Sequence, residues 1–302
     1  VFETANERYV KVLQNSAENY KNEPASSLYR HKVAYNYHNL ATTYNAGIQK
    51  ENRWKNKEAL DICRSVTQQY PQSRGATKCV ELKSKILAPT LQLTTERHIP
   101  TNTTGRLLVN YKNLKGLTLT AHRVSRQDLK KLDDLHPRSK KLEFIKKLAV
   151  SKTWSAQLKD EGDYQSHSIE IVLPALENGQ YIILATPHDD DKGAIAYAMV
   201  QVTDLAMLQT KTKNAHHFQI IDRNNGSPIK GATFKLTYRK TYIKGLETKT
   251  LETDKEGMVT INAPNKHYNS VWVTVLHKGE TAHFGNFYIP RKYDRGTNLN
   301  KV

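Results

Sequence analysis

The sequence lacks several features that would point directly to a function. It has no apolar run of about 18 residues, the length that a membrane-spanning helix needs. It also has no Gly-x-Ser-x-Gly run, phosphate-binding glycine loop or His-Glu-x-x-His run. Its only cysteines are Cys63 and Cys79, and no histidine or third cysteine joins them at the spacing of zinc ligands. We therefore expect no enzyme, and we predict no catalytic, cofactor-binding or metal-binding residues.

Acidic residues are scarce relative to basic ones. The 46 Lys and Arg outnumber the 29 Asp and Glu, which gives a formal net charge of +17. The charge is spread along the chain and is densest at residues 130–147, so we interpret most of it as solvated surface, with an anionic surface as an alternative partner. Nucleic acid is disfavoured, because no aromatic–basic motif of a known nucleic-acid module is present.

Residues 1–88 have the periodicity of helices. Apolar residues recur at three- and four-residue steps in four stretches, and Gly47, Pro71 and Pro89 interrupt or end them. The pattern predicts helical hairpins packed in a tetratricopeptide-like manner, although the helix pairs do not follow that family's repeat length.

The two cysteines lie at equal distances from the predicted turn at Pro71. Residues equidistant from the turn of an antiparallel hairpin face each other, so Cys63 and Cys79 should approach. In an oxidising compartment they would form a structural disulfide, which we predict. The alternative is two small apolar residues buried in the helical core.

After residue 89 the period changes from that of helices to that of strands. Short apolar or alternating runs, separated by turn sequences, continue to about residue 289. Residues 125–150 interrupt them with a helical insertion, which begins at a capping box formed by Ser125 and Asp128. The pattern predicts two immunoglobulin-like antiparallel β-sandwiches at 89–205 and 206–302. The boundary should lie near residues 203–214, because the polar stretch at 209–214 falls between two complete sets of strands.

Two candidate metal sites have simpler interpretations. The acidic run at residues 188–193 lacks the distal Glu of a calcium loop, and a solvated hairpin tip accounts for it. His216 and His217 are adjacent on a strand, so their imidazoles point to opposite faces and cannot bind one metal ion together.

Two stretches of sequence resemble a known family. The first has GQYIILA at residues 179–185 and leads to VQVTDLA at 200–206; the second has HFQIIDR at 217–223, GSPIKGA at 226–232 and TDKEG at 253–257. Together they resemble consecutive macroglobulin domains, and with the helical start they resemble the N-terminal region of a bacterial, Bacteroidetes-type alpha-2-macroglobulin-like protein.

The resemblance implies a non-catalytic scaffold portion of a protease inhibitor. Proteins of this family trap proteases through a bait segment, and many carry a thioester in a Cys-x-Glu-Gln motif. The run at residues 79–82 has Leu82 in place of the glutamine, so no thioester should form. The bait and thioester segments would lie in a longer parent protein, and that parent would meet the proteases.

The resemblance also implies an extracytoplasmic location, in the bacterial periplasm or cell envelope. The chain begins at Val1 without a signal-peptide core, so we expect a trimmed piece whose targeting or anchoring segment has been removed. An alternative function is a cell-surface adhesin or glycan-binding protein built from similar sandwiches. Exposure of Trp54, Trp154 and Trp272 would favour that alternative.

Overall fold

The structure, a computed structural model, describes residues 4–188, 193–239 and 245–292. These residues form a helical segment followed by two layered β-units. The helices of the first part are α1 (Ala5–Asn19), α2 (Ser26–Ala41), α3 (Lys55–Gln69) and α4 (Arg74–Leu87). The predicted fold class, helical hairpins followed by two sandwiches, is confirmed.

Capping residues and small side chains shape the helical segment. Helix α4 begins where the Ser73 hydroxyl accepts a hydrogen bond from the backbone N–H of Ala76. Alanines and the two cysteines fill much of the core between α2, α3 and α4. The crossing of α2 and α4 is so close that a Cβ on Gly75 would lie 2.4 Å from the Ser27 backbone. These helices therefore pack through small residues.

The first sandwich consists of two sheets packed face to face. Its strands are β1 (Thr90–Thr95), β2 (His98–Ile99), β3 (Gly105–Lys112), β4 (Gly116–Val124), β5 (Lys152–Gln157), β6 (His167–Leu173), β7 (Gly179–Pro187) and β8 (Ala196–Val202). One sheet has the order β1-β3-β6 and the other β2-β8-β7-β4-β5. All pairs are antiparallel except the short β2–β8 pair. Inward side chains of both sheets, such as Leu107, Leu119 and Ile183, form one core.

A helical hairpin covers the outer face of the larger sheet. Helices α5 (Arg126–Asp134) and α6 (Arg138–Lys146) are inserted between β4 and β5, and α5 begins at the predicted capping box. Leu132 and Ile145 pack against Ile182 and Leu184 of β7. Strand β7 is thus buried on both faces, and this explains its continuous apolar run.

The second sandwich has the same two-layer design. Its strands are β9 (Leu205–Lys211), β10 (Ala215–Asp222), β11 (Thr233–Arg239), β12 (Glu247–Glu252), β13 (Met258–Asn262), β14 (Tyr268–His277) and β15 (Glu280–Ile289). The sheets have the orders β13-β10-β9 and β12-β11-β14-β15. Phe218 from one sheet and Phe234 from the other meet in the core, with ring centroids 5.3 Å apart.

One stretch differs from the sequence-based expectation. The first half of the polar stretch at 209–214, predicted as a separator, continues strand β9, which pairs with β10 as an edge strand. From Leu208 to Lys211 the side chains of β9 are exposed, so the apolar alternation that identifies a strand is missing. The domain boundaries at 88/89 and 205/206 stay predictions. Of the predicted hairpin tip at residues 188–193, positions 189–192 lie outside the described residues.

Candidate functional site

The helical hairpin brings the two cysteines together. Cys63 on α3 and Cys79 on α4 are 1% and 0% exposed, and both are free thiols in the structure. The hydrogen bond that the Cys63 thiol donates to Cys79, together with burial, raises the pKa of Cys63. A buried thiol with a raised pKa is a poor nucleophile, which argues for a structural role of Cys63. The same hydrogen bond lowers the pKa of Cys79, but burial keeps that thiol away from solvent. The disulfide itself stays a prediction.

Oxidation of this pair gives a first testable prediction. A bond closing a loop of about 15 residues should contribute about 3 kcal/mol to stability, by the chain-entropy estimate. Oxidised protein should therefore show no reactive thiol after denaturation, and reductant should lower the melting temperature of the helical part. A variant carrying both Cys63→Ala and Cys79→Ala should melt identically with and without reductant. Two titratable thiols in denatured, oxidised protein would rule out the disulfide.

A polar network, here called the first junction, joins the helical segment to the first sandwich. At its centre is Asp163, which lies in the loop between β5 and β6 and whose side chain is 1% exposed. Its carboxylate accepts hydrogen bonds from Arg53 Nε (2.9 Å), His167 Nε2 (2.9 Å) and the backbone N–H of Gln165 (3.1 Å). Arg53 also pairs with Glu161. Burial of Asp163 opposes its ionisation, but these hydrogen bonds hold its pKa below the ordinary value.

Further contacts fasten the same loop to the helical segment. Gln165 Nε2 donates to the carbonyl of Arg53 at 3.1 Å, and Asn56 Nδ2 donates to the carbonyl of Tyr164 at 3.0 Å. The amide oxygen of Asn56 is in turn 2.8 Å from Nδ1 of the buried His38. Hydrogen bonds from side chains of both parts thus hold the helical segment against the first sandwich.

The second junction joins the two sandwiches at the edge of strand β15. The side-chain amide of Asn178 accepts from the Thr281 N–H (3.2 Å) and donates to the Thr281 carbonyl (3.3 Å). Gln201 does the same at His283, with distances of 2.8 Å to its N–H and 3.0 Å to its carbonyl. Two side-chain amides of the first sandwich therefore take the place of a neighbouring strand along this edge.

Charged residues hold the connector at residues 202–205 in the same junction. Glu280 accepts hydrogen bonds from the Thr203 hydroxyl and from the backbone N–H of Asp204. Arg223 donates to the carbonyls of Thr203 and Leu205, both at 3.0 Å. The Asp204 carboxylate accepts from the backbone N–H of Thr101 at 2.9 Å. Burial opposes ionisation of Asp204, but its bonds to Thr101 and Asn224 lower its pKa.

The sequence motifs thus mark turns and connections. Asp204 belongs to the VQVTDLA run, but no sequence pattern pointed to its partners in the junction. In the TDKEG run, Asp254 Oδ1 accepts from the N–H groups of Glu256 (3.0 Å) and Met258 (2.8 Å) and so shapes a tight turn. Asp204 and Asp254 of these runs thus bond the chain's own connections and turns.

The other candidate residues do not converge on one place. His216 is buried, whereas His217 bonds Thr260 across the strand pair. Among residues 4–188, 193–239 and 245–292, no three side chains of His, Cys, Asp or Glu could hold a metal ion together. Within the same residues, every helix is too short or too polar to cross a membrane.

The three tryptophans do not form a shared platform. Trp54 is 43% exposed and lies beneath the Arg53 guanidinium, whose carbon is 5.1 Å from the ring centre. Trp154 packs partly buried against the core of the first sandwich. Trp272 lies beneath Arg126, at 4.5 Å, in the second junction. Trp54 alone of the three has an exposed side chain, so the glycan-binding alternative depends on this residue.

The fold is a multidomain α+β arrangement, with a helical segment and two consecutive β-sandwiches joined by polar contacts. No family model and no curated protein matches the chain. Among solved structures, it is similar to native alpha-2-macroglobulin from Escherichia coli in two fragments. One spans domains MG0-NIE-MG1 (14% identity, 66% of this chain, 64% of that chain, TM-score 0.48) and the other NIE-MG1 (14%, 66%, 97%, TM-score 0.47).

A longer form of that protein is similar over a smaller share of its length. Against trypsin-activated alpha-2-macroglobulin from the same organism, the match covers 68% of this chain but 16% of the other, with 13% identity and a TM-score of 0.29. The chain thus spans less than two thirds of the first fragment and a small part of the activated protein. At these identities and scores the likenesses do not assign a function.

Proposed function

We propose that the chain is a non-catalytic scaffold portion of an extracytoplasmic, macroglobulin-like protease inhibitor. The observation that carries the proposal is the second junction, in which the VQVTDLA run of the sequence resemblance becomes a connector clamped between two sandwiches. Proteases would be partners of the longer parent protein, in which the trapping segments would lie.

The junctions suit a part that must hold or transmit shape. Interfaces between domains are commonly small, so two sandwiches joined by a flexible linker would be free to reorient. Here the connector itself is hydrogen-bonded to Glu280 and Arg223 of the second sandwich. A displacement of one sandwich must therefore move the other or break these bonds.

The thioester-like run supports a structural role for α4. Cys79 faces Cys63 in the helical core, and Leu82 is 4% exposed in the same core. A thioester requires a side-chain acyl group to bond the thiol, and the hydrocarbon side chain of leucine has none. The run at 79–82 therefore belongs to the packing of the helices.

An inhibition assay tests the proposed function. The parent protein should slow digestion of a folded protein substrate by an endoprotease, whereas the 302-residue chain alone should not. Hydrolase activity of the chain, or inhibition by the chain alone equal to that of the parent, would contradict the scaffold role. Glycan binding that is lost in a Trp54→Ala variant would favour the adhesin alternative.

A variant of the second junction gives a further prediction. Asn178→Ala combined with Gln201→Ala removes the bonds to Thr281 and His283 and should weaken the junction by about 1–3 kcal/mol. Small-angle X-ray scattering should show a larger radius of gyration, and proteases should cut near the connector. The matched control is Gln219→Ala, which removes an amide-to-backbone bond within the second sandwich. Equal behaviour of the double variant and the control would contradict a clamping role for the two amides.

A further inference from the structure

Two imidazoles lie in the second junction, one from each sandwich. His98 on β2 is half-buried, and its ring centre is 5.5 Å from that of Phe284 on β15. His283 on β15 is also half-buried, and its Nδ1 is 3.0 Å from the Thr274 hydroxyl on β14. The backbone of His283 is the strand edge that Gln201 binds. Both rings therefore occupy the surface along which the sandwiches meet.

The charged groups that face these rings are mostly cationic. Arg97 and Arg223 act on His98, and Arg126 of α5 acts on His283. The negative charges of the junction interact with Arg223, and they belong to Asp204, Glu96 and Glu280. Within the described residues, the histidine that pairs with a carboxylate is His167, which bonds Asp163 in the first junction. Arg126 also donates to the Thr274 hydroxyl that His283 bonds, at 3.5 Å, so a proton added to His283 would place a second cation near this guanidinium. A proton added to His98 would likewise add positive charge near Arg97 and Arg223.

We propose that the second junction is a pH-sensitive clasp, closed when His98 and His283 are neutral and loosened when they are protonated. Opening would hydrate both rings and separate His283 from Arg126 on α5. Opening would also break the hydrogen bonds between strand β15 and the side-chain amides of Gln201 and Asn178, because these two residues belong to the first sandwich.

The pKa directions define the pH range. Burial, followed by the nearby guanidiniums, lowers the pKa of both imidazoles from 6.5, although a hydrogen bond from His98 to the His283 carbonyl opposes this. The open form therefore binds protons more readily than the closed form. The closed form loses stability as the pH falls below 6.5. The pKa of Asp204 is lowered from 3.8, so this carboxylate takes up a proton only in a more acidic range than the two imidazoles.

Amide hydrogen exchange measured by NMR tests the clasp. The N–H groups of Thr281 and His283 bond to side-chain oxygens across the junction, so their exchange reports its opening. After correction for intrinsic rates, their protection should fall several-fold between pH 7.5 and pH 5. The amides of Ile183 and Val273, in the centres of the two sandwiches, should keep theirs. Protection of Thr281 and His283 that does not change with pH would overturn the proposal.

Variants and a direct titration complete the test. A double variant with His98→Gln and His283→Gln should lose the pH dependence, whereas His217→Gln, at an imidazole remote from the junction, should retain it. An unchanged fall in protection in the double variant would overturn the proposal. If the variant does not fold, the ring resonances of the natural protein are titrated instead. Both imidazoles must then titrate below 6.5, and a value at or above it would overturn the proposal.

Discussion

Replacing Asp163 with alanine is expected to cost about 3 kcal/mol of stability where the helical segment meets the first sandwich. The substitution removes the shared acceptor of Arg53, His167 and the Gln165 backbone. Groups that lose their only buried partner carry a desolvation penalty as well as the lost bond. Urea unfolding followed by helical circular dichroism should show the helical segment unfolding at lower denaturant in the variant.

Glu161→Ala is the matched control, because it removes the same charge from the same network. Glu161 is more exposed than Asp163 and bonds Arg53 and Lys159 near the surface, so its loss should cost less than the loss of Asp163. Because the pKa of Asp163 is lowered, its contribution is present above 3.8 and is lost as the pH falls through the lowered value. The difference between natural protein and Asp163→Ala should therefore shrink in acid. Equal losses in the two variants would contradict the central role of Asp163.

Local sequence patterns predicted the elements of this fold well. Helical periodicity and the turn at Pro71 placed Cys63 opposite Cys79, and the structure brings these residues together. The capping box of Ser125 and Asp128 marked the start of α5. Such signals work because capping, periodicity and turns depend on residues only a few positions apart.

The contacts that join the three parts were not predictable in the same way. Arg53 and Asp163 are 110 positions apart, and Thr203 and Glu280 are 77 apart. Polar residues at such separations leave no periodic pattern, and each looks like an ordinary surface residue in the sequence. Edge strand β9 was missed for a related reason, since its exposed side chains do not alternate. Sequence periodicity reports burial within an element, whereas these junctions depend on which elements become neighbours.

The glycine of the TDKEG run should be among the least replaceable residues of the second sandwich. Gly257 has φ of +70°, and a Cβ there would lie 2.3 Å from the carbonyl oxygen of Ile220. That oxygen already accepts a hydrogen bond from the N–H of Ile229, and the Ile220 N–H donates to the Gly257 carbonyl. Neither β10 nor the turn at Gly257 can therefore move away without breaking a hydrogen bond. The left-handed conformation alone costs an alanine about 1–2 kcal/mol. With the clash added, Gly257→Ala should cost about 4 kcal/mol, at the upper end of single substitutions.

Gly226→Ala separates the two causes. Gly226 has a similar φ of +77°, but a Cβ there would meet nothing within 4 Å, so only the conformational cost of about 1–2 kcal/mol applies. Exchange of the most protected amides, such as those of Phe234 and Val273, measures the stability of the second sandwich in both variants. If Gly257→Ala is too unstable to purify while Gly226→Ala folds, the order of the two costs is already established. Equal losses would mean that the close approach of residue 257 to Ile220 does not restrict the turn, and that φ alone sets the requirement for glycine.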